Sequence, residues 1–275
     1  MPRAIWSGAI SFGLVNVPVR MYSAIDEKDL RFHLLHEPDG SRIGFQKVCK
    51  AEDKPVADEE IVKAFELSKD KLVVLTNEDF AAVKSEGVKS IDISDFVPYD
   101  DIDPIYFERT YFLGPQTGGE RVYSLLRQAM ERTELAAIGK YVMRDKQNLG
   151  CLRVREGVIT LEKMFFHDEI RPLDDVAPPK QKLAKAELEM ATALIEQFSG
   201  TFEPEKYEDT YRKALLAVIK AKEKGKTITP PEPEADEEPA DLLEALKASV
   251  EAAKRSRGSV RAKRPPAHRR AKTKR

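Results

Sequence analysis

Few residues in this 275-residue chain have the types and spacing that chemistry needs. Asp100, Asp101 and Asp103 fall close together, and such an acidic cluster could hold a divalent cation for metal-assisted hydrolysis. Pro98 and Pro104 flank them, and a solvated turn explains the same residues. His33 and His36 stand three apart in a run read as a strand, which would point them to opposite faces and away from a shared metal. Cys49 and Cys151 sit in no paired-cysteine spacing, which argues against a disulfide framework or structural zinc and for a reducing compartment. Cys151, between Gly150 and Leu152, reads as a small buried hydrophobe. No Gly-rich phosphate loop, G-x-S-x-G elbow or H-E-x-x-H occurs. Enzyme signatures are mostly absent.

Charge is more informative. The formal net charge of −1 conceals an asymmetry. Residues 1–231 hold 34 basic and 39 acidic side chains, residues 232–253 hold eight acids and one lysine, and residues 254–275 hold eleven Lys or Arg and no acid. Inside the net-negative N-terminal part, Arg121 to Lys163 carries nine basic residues against five acids. A charge run is often only a solvated face, but basic residues gathered on one surface would track phosphates without reading sequence.

The elements that must position these residues follow from periodicity. From Met1 to about Asp175 the pattern is strand-like at "RFHLL", "RIGFQKV", "EIVKAFEL", "KLVVL", "KSIDISDFV", "TYFL", "AIGKYVM", "GCLRV" and "VITLEKMFF". Many short strands separated by turn signals imply a barrel or a sandwich. Two helices interrupt them. One follows "PQTGGE", with Thr117 and Glu120 at capping-box spacing and Val122, Leu125, Leu126, Ala129 and Met130 as its apolar stripe. A shorter one covers Asn77 to Ser85.

After "PPK" at 178–180 the period becomes helical, with Leu188, Ala191, Leu194, Ile195 and Phe198 on one face, then Tyr207, Tyr211, Leu215 and Val218 on a second helix. Residues 226–239 mix proline with like charge and read as an extended linker spanning roughly 40 Å. Asp241 and Glu244 open a short amphipathic helix whose stripe is Leu242, Leu243, Leu246 and Val250. A lone helix of that length needs a partner groove.

The opening "PRAIWSGAISFGLVNVPVR" excludes two assignments. Ser7, Gly8, Ser11, Gly13 and Asn16 break every apolar run, so neither a cleaved export signal nor a membrane anchor is expected. Ala4, Trp6, Ile10, Phe12 and Leu14 alternate with small residues, and after Leu14 the apolar set moves to Val15, Val17, Val19 and Met21. That change of phase beside a glycine suggests a bulge or sharp bend joining two strands.

"RAIWSGAISFGLVNVPVRMYSA" resembles the N-terminal signature of the bacterial Ku family, DNA-end-binding proteins of non-homologous end joining. The similarity continues through "FVPYDDIDPIYFERTYFLGP", "VYSLLRQAM" and "LEKMFFHDEIRP", across about residues 3–220 and again at "DLLEALKASV". Where many relatives carry a second cysteine after the one matching Cys49, this chain reads "CKAEDKP", so no metal is inferred there.

The resemblance implies an α+β, mainly β fold. Residues 1–176 would form a Ku-type β-barrel core with a DNA-encircling strand bridge, 177–225 a helical dimerisation arm, 226–239 an acidic Pro-rich linker, 240–253 the short helix, and 254–275 a basic disordered tail. It implies a homodimeric ring that threads onto double-stranded DNA ends, with no catalysis, no cofactor and no membrane, in the cytoplasm and associated with the nucleoid. It also implies recruitment and stimulation of DNA ligase D, for which Leu242, Leu243, Leu246 and Val250 are the candidate contacts. Arg3, Arg20, Lys28, Arg31, Lys89, Arg109, Arg144, Lys146 and Arg153 are the candidate ring-lining phosphate contacts. The tail candidates are Lys254, Arg255, Arg257, Arg261, Lys263, Arg264, Arg269, Arg270, Lys272, Lys274 and Arg275. Two rivals remain: a nucleoid-type protein binding mainly through its tail, and a nuclease using Asp100, Asp101 and Asp103.

Overall fold

A computed structural model describes residues 3–69, 71–83 and 89–226. The linker from residue 227 on, the helix bearing Leu242, Leu243, Leu246 and Val250, and the basic tail lie outside the described residues, as does the end of the helix expected to reach Ser85. The chain divides after Asp175 into two compact units.

The first unit begins with β1 (Trp6–Phe12) and β2 (Val15–Ser23), an antiparallel pair joined by a two-residue turn. Gly13 takes φ +57° at the first turn position, the backbone state such tight hairpins require. The change of phase is therefore not a bulge. Partners such as Trp6 and Met21 or Ile10 and Val17 pair an even with an odd position, so one inner face switches parity on crossing the turn. Trp6, Ile10, Val17, Val19 and Met21 are buried, and Leu14 at the tip is fully exposed.

Five more strands complete a closed barrel: β7 (Ser90–Pro98), β8 (Phe107–Pro115), β9 (Leu135–Met143), β10 (Lys146–Arg155) and β11 (Val158–Met164), in the order β1-β2-β8-β11-β10-β9-β7. The seam is the parallel pairing of β1 with β7. It depends on Gly8, because a Cβ there would fall 2.0 Å from the Lys89 carbonyl oxygen. Tyr111, Leu113, Ile91, Tyr141, Leu152, Ile159 and Leu161 fill the interior.

One barrel end is plugged by α2 (Glu120–Thr133), which inserts Tyr123, Leu126 and Met130 into the core. The Tyr123 hydroxyl donates to the Leu113 carbonyl at 2.7 Å and accepts from the Ile159 amide at 2.9 Å, joining β8 to β11. Sequence expectations fail here at the cap and at two positions of the stripe. The N-cap is Gly119 rather than Thr117, and Glu120 turns back to accept from the Gly118 amide. Leu125 and Ala129, expected on the stripe, face solvent, because the buried row is Tyr123, Leu126 and Met130 at i, i+3 and i+7 and each of the two lies about 100° off it.

Between β7 and β8 the chain recrosses the outside of the barrel. Tyr99, Ile102 and Tyr106 cover the outer face of β9, β10 and β11, building a second core around Ala136, Cys151 and Met164. Cys151 is wholly buried there, and burial pushes its thiol up to about 12.

Between β2 and β7 lies a long excursion. Among the described residues it holds β3 (Val48–Cys49) paired with β4 (Lys54–Pro55), a 3-10 turn at Asp58–Glu60, β5 (Lys63–Ser68) paired with β6 (Lys71–Leu75), and α1 (Asn77–Ala82). "RFHLL" and most of "RIGFQKV" are not strands; one isolated bridge, Leu35 to Arg42, is all that forms. Their apolar residues have no facing sheet to pair with, so propensity alone does not order them into ladders. His33 and His36 are consequently on no strand, and His36 Nδ1 instead meets Asp39 at 2.9 Å.

The second unit contributes α3 (Lys185–Phe198) and α4 (Thr210–Glu223). Asp209 caps α4 by accepting from the Arg212 amide, so Tyr207 stands before the helix and not on its stripe. Leu188, Ile195 and Phe198, expected on a packed face, are exposed.

Candidate nucleic-acid interface

Strand direction sorts the candidate basic residues. The registers put the start of β1, the end of β2, the start of β7, the start of β8, the end of β9 and the start of β10 at one end of the barrel, opposite the α2 plug. Arg3 lies just outside β1, whose entry is held by the Ile5 amide donating to the Met21 carbonyl at 2.9 Å. Lys89 precedes β7, and its carbonyl accepts from the Ala9 amide at 2.9 Å. Arg144 sits at the tip of the β9–β10 hairpin with φ +55°, followed by Asp145 at +61° and Lys146. Two successive positive φ values are the signature of a type I′ turn, which thrusts these side chains outward.

Arg109 reaches the Glu27 carboxylate at 3.0 Å and ties the first residues of the excursion to the same end. Lys28 follows and pairs with Asp26; Arg31 lies three residues on. Arg3, Lys28, Arg31, Lys89, Arg109, Arg144 and Lys146 are all exposed. The excursion therefore leaves and re-enters the barrel at the end where six of the candidate basic residues, Arg31 apart, are anchored by register or ion pair.

The other two candidates are elsewhere. Arg20 is exposed on the outer wall, opposite Ser7 on β1 and Gly114 on β8. Arg153, on the outer face of β10, is turned inward under the recrossing segment. Its Nε donates to the Glu162 carboxylate at 2.9 Å and its guanidinium lies 4.8 Å from the centre of the Tyr99 ring. Glu162 is buried, and its second oxygen accepts from the Thr110 hydroxyl. Sequence reasoning missed this network because Glu162 and Arg153 are nine positions apart on neighbouring strands, a pairing that only register reveals.

The acidic cluster does structural work. Asp103 accepts from the Ile105 amide at 2.9 Å, Asp100 and Asp101 lie in a short 3-10 turn, and all three are exposed. Among the described residues no group of three or more His, Cys, Asp or Glu could hold a metal ion. No helix among them is long and apolar enough to cross a membrane.

A closed seven-stranded barrel, plugged by a helix at one end and giving off a long excursion amid basic side chains at the other, defines a β-barrel protein of the Ku type. A family model described as the Ku70/Ku80 beta-barrel domain matches residues 11–190. The chain belongs to the Ku family. It is 45% identical over 262 residues to the non-homologous end joining protein Ku of Symbiobacterium thermophilum, covering 94% of this chain and 65% of that protein. It is 42% identical to the protein of that name from Bacillus subtilis, with 92% and 83% covered, and 43% identical to that of Archaeoglobus fulgidus, with 92% and 100% covered.

Proposed function

We propose that this chain binds the ends of double-stranded DNA without sequence preference, as a non-catalytic homodimeric ring acting in non-homologous end joining. The observation that carries the reading is topological: the excursion between β2 and β7 starts and finishes at the barrel end bearing the basic candidates. A loop closing over that end with a second copy would present Arg and Lys to the phosphates of an enclosed duplex. Phe32, Leu35, Phe45, Phe65, Leu67 and Leu72 are all exposed on the excursion, more apolar surface than a soluble monomer usually leaves uncovered, and this supports dimerisation through it. The names of the relatives agree with an end-joining role. The protein would work in the cytoplasm, on the nucleoid.

Competition decides the ring. At salt high enough to suppress tail binding, linear duplex should bind and a covalently closed circle should not compete; equal competition by the circle refutes the reading. Phosphate contacts predict a salt slope of about −0.9 per neutralised phosphate. Arg144→Ala with Lys146→Ala should flatten that slope by about 2 without altering the fold. For recruitment of DNA ligase D through Leu242, Leu243, Leu246 and Val250, truncation after Thr229 should keep end binding and abolish ligase stimulation. If residues 1–229 bind no DNA at all, the basic tail carries the binding instead.

A further inference from the structure

We propose that the outer wall formed by β2, β8 and β11 is a stacking platform for unpaired nucleotides at a DNA end, an inference that rests on the end-binding reading above. The wall carries two aromatic rings on adjacent strands, Tyr22 directly opposite Phe112. Phe112 is 40% exposed although it sits in the middle of a barrel strand. Tyr22 is half-buried and reaches over Gly114, its Cε2 3.3 Å from where a Cβ would stand, so the missing side chain at Gly114 makes room for the ring. These residues line one open groove with Ala24, Leu113, Val158, Arg155 and the carboxylate of Glu156.

Charge brackets the rings. Arg20 lies opposite Gly114 at the β2 margin, and Arg155 lies opposite Val158 at the β10 margin. Three strand intervals separate them, about 14 Å. Arg155 is held only loosely by Glu156, at 3.7 Å with both side chains largely exposed, and is free to turn toward a phosphate. Two aromatic faces on neighbouring strands with flanking cations are the elements by which sheet surfaces hold single-stranded nucleic acid. The four apolar side chains that reach the groove surface, Tyr22, Ala24, Phe112 and Val158, fall well short of the roughly 800 Å² per partner of a stable protein interface, which favours a nucleotide as the occupant.

The test compares the full chain on a blunt duplex and on the same duplex with a short 3′ single-stranded extension containing 2-aminopurine. The parent should favour the extended duplex by roughly 5-fold or more, the lower bound for one stacked base, and should quench the 2-aminopurine. Phe112→Leu and Tyr22→Leu, which keep apolar bulk but lose the ring, should abolish preference and quenching while blunt-end affinity and melting temperature hold. Arg20→Gln with Arg155→Gln should weaken only the extended duplex. Equal affinity of the parent for both duplexes, quenching that survives both ring variants, or loss of blunt and extended binding together in a folded variant overturns the platform. Quenching by a parent that cannot bind blunt ends would refute the end-binding reading and leave the platform standing.

Discussion

Arg153→Met separates a structural arginine from a phosphate contact. The substitution keeps an unbranched apolar stem but removes the cation beside Glu162, whose side chain is 5% exposed against 29% for Arg153. Breaking a buried pair from one side costs about 3–5 kcal/mol, because the abandoned charge keeps its desolvation penalty. Water reaches the arginine side, so the lower end of that range applies, and the lost contact with the Tyr99 ring adds about 0.5–1 kcal/mol. The expected loss is about 3.5–4 kcal/mol. For a unit of this size each kcal/mol lowers the melting temperature by about 2–4 °C, so a fall of roughly 7–16 °C is expected by calorimetry or circular dichroism. Arg153→Met combined with Glu162→Leu removes both charges and should recover most of the loss, although the Thr110 hydroxyl then lacks its acceptor. The salt slope of DNA binding should not change below the melting transition. A variant with unaltered stability and a slope reduced by about 1 would refute the assignment and return Arg153 to the phosphate contacts.

Other perturbations test the barrel. Tyr123→Phe strands the Leu113 carbonyl and the Ile159 amide and should cost about 2–4 kcal/mol in urea unfolding, far more than an exposed Tyr→Phe change. Thiol chemistry should split the cysteines: Cys49, exposed enough to react and lowered by the amides of Ala51 and Glu52, should be labelled quickly at pH 8, whereas Cys151 should react only after unfolding. Because the folded Cys151 thiol titrates near 12 and the unfolded one near 9.0, the unfolded state loses its proton first, and stability should fall as pH rises from about 9 to 12. Burial raises Tyr123 and Tyr141 in the same direction, and Cys151→Ala should make the alkaline decline measurably shallower.

Sequence by itself determined the parts of this protein that are periodic and covered on one side. The alternation in β1, β2 and the strands from Ser90 to Met164 was legible because each strand turns one row of large apolar residues into the barrel. The long "FVPYDDIDPIYFERTYFLGP" and "LEKMFFHDEIRP" matches carried the family because they span the recrossing segment and the strands it covers. What alternation cannot tell is whether the second face of a strand meets water. Along the part of β10 and β11 that the recrossing segment covers it does not, so Arg153 and Cys151, outward by parity, are packed beneath Tyr99 and Ile102. Nor can composition say which basic residues are neighbours. Arg3, Lys89 and Arg144 are scattered along the chain and gather at one barrel end only because strand direction and register bring them there. The failed strands at "RFHLL" and "RIGFQKV" make the same point in reverse: apolar residues become a ladder only where a partner strand supplies the other half of every hydrogen bond.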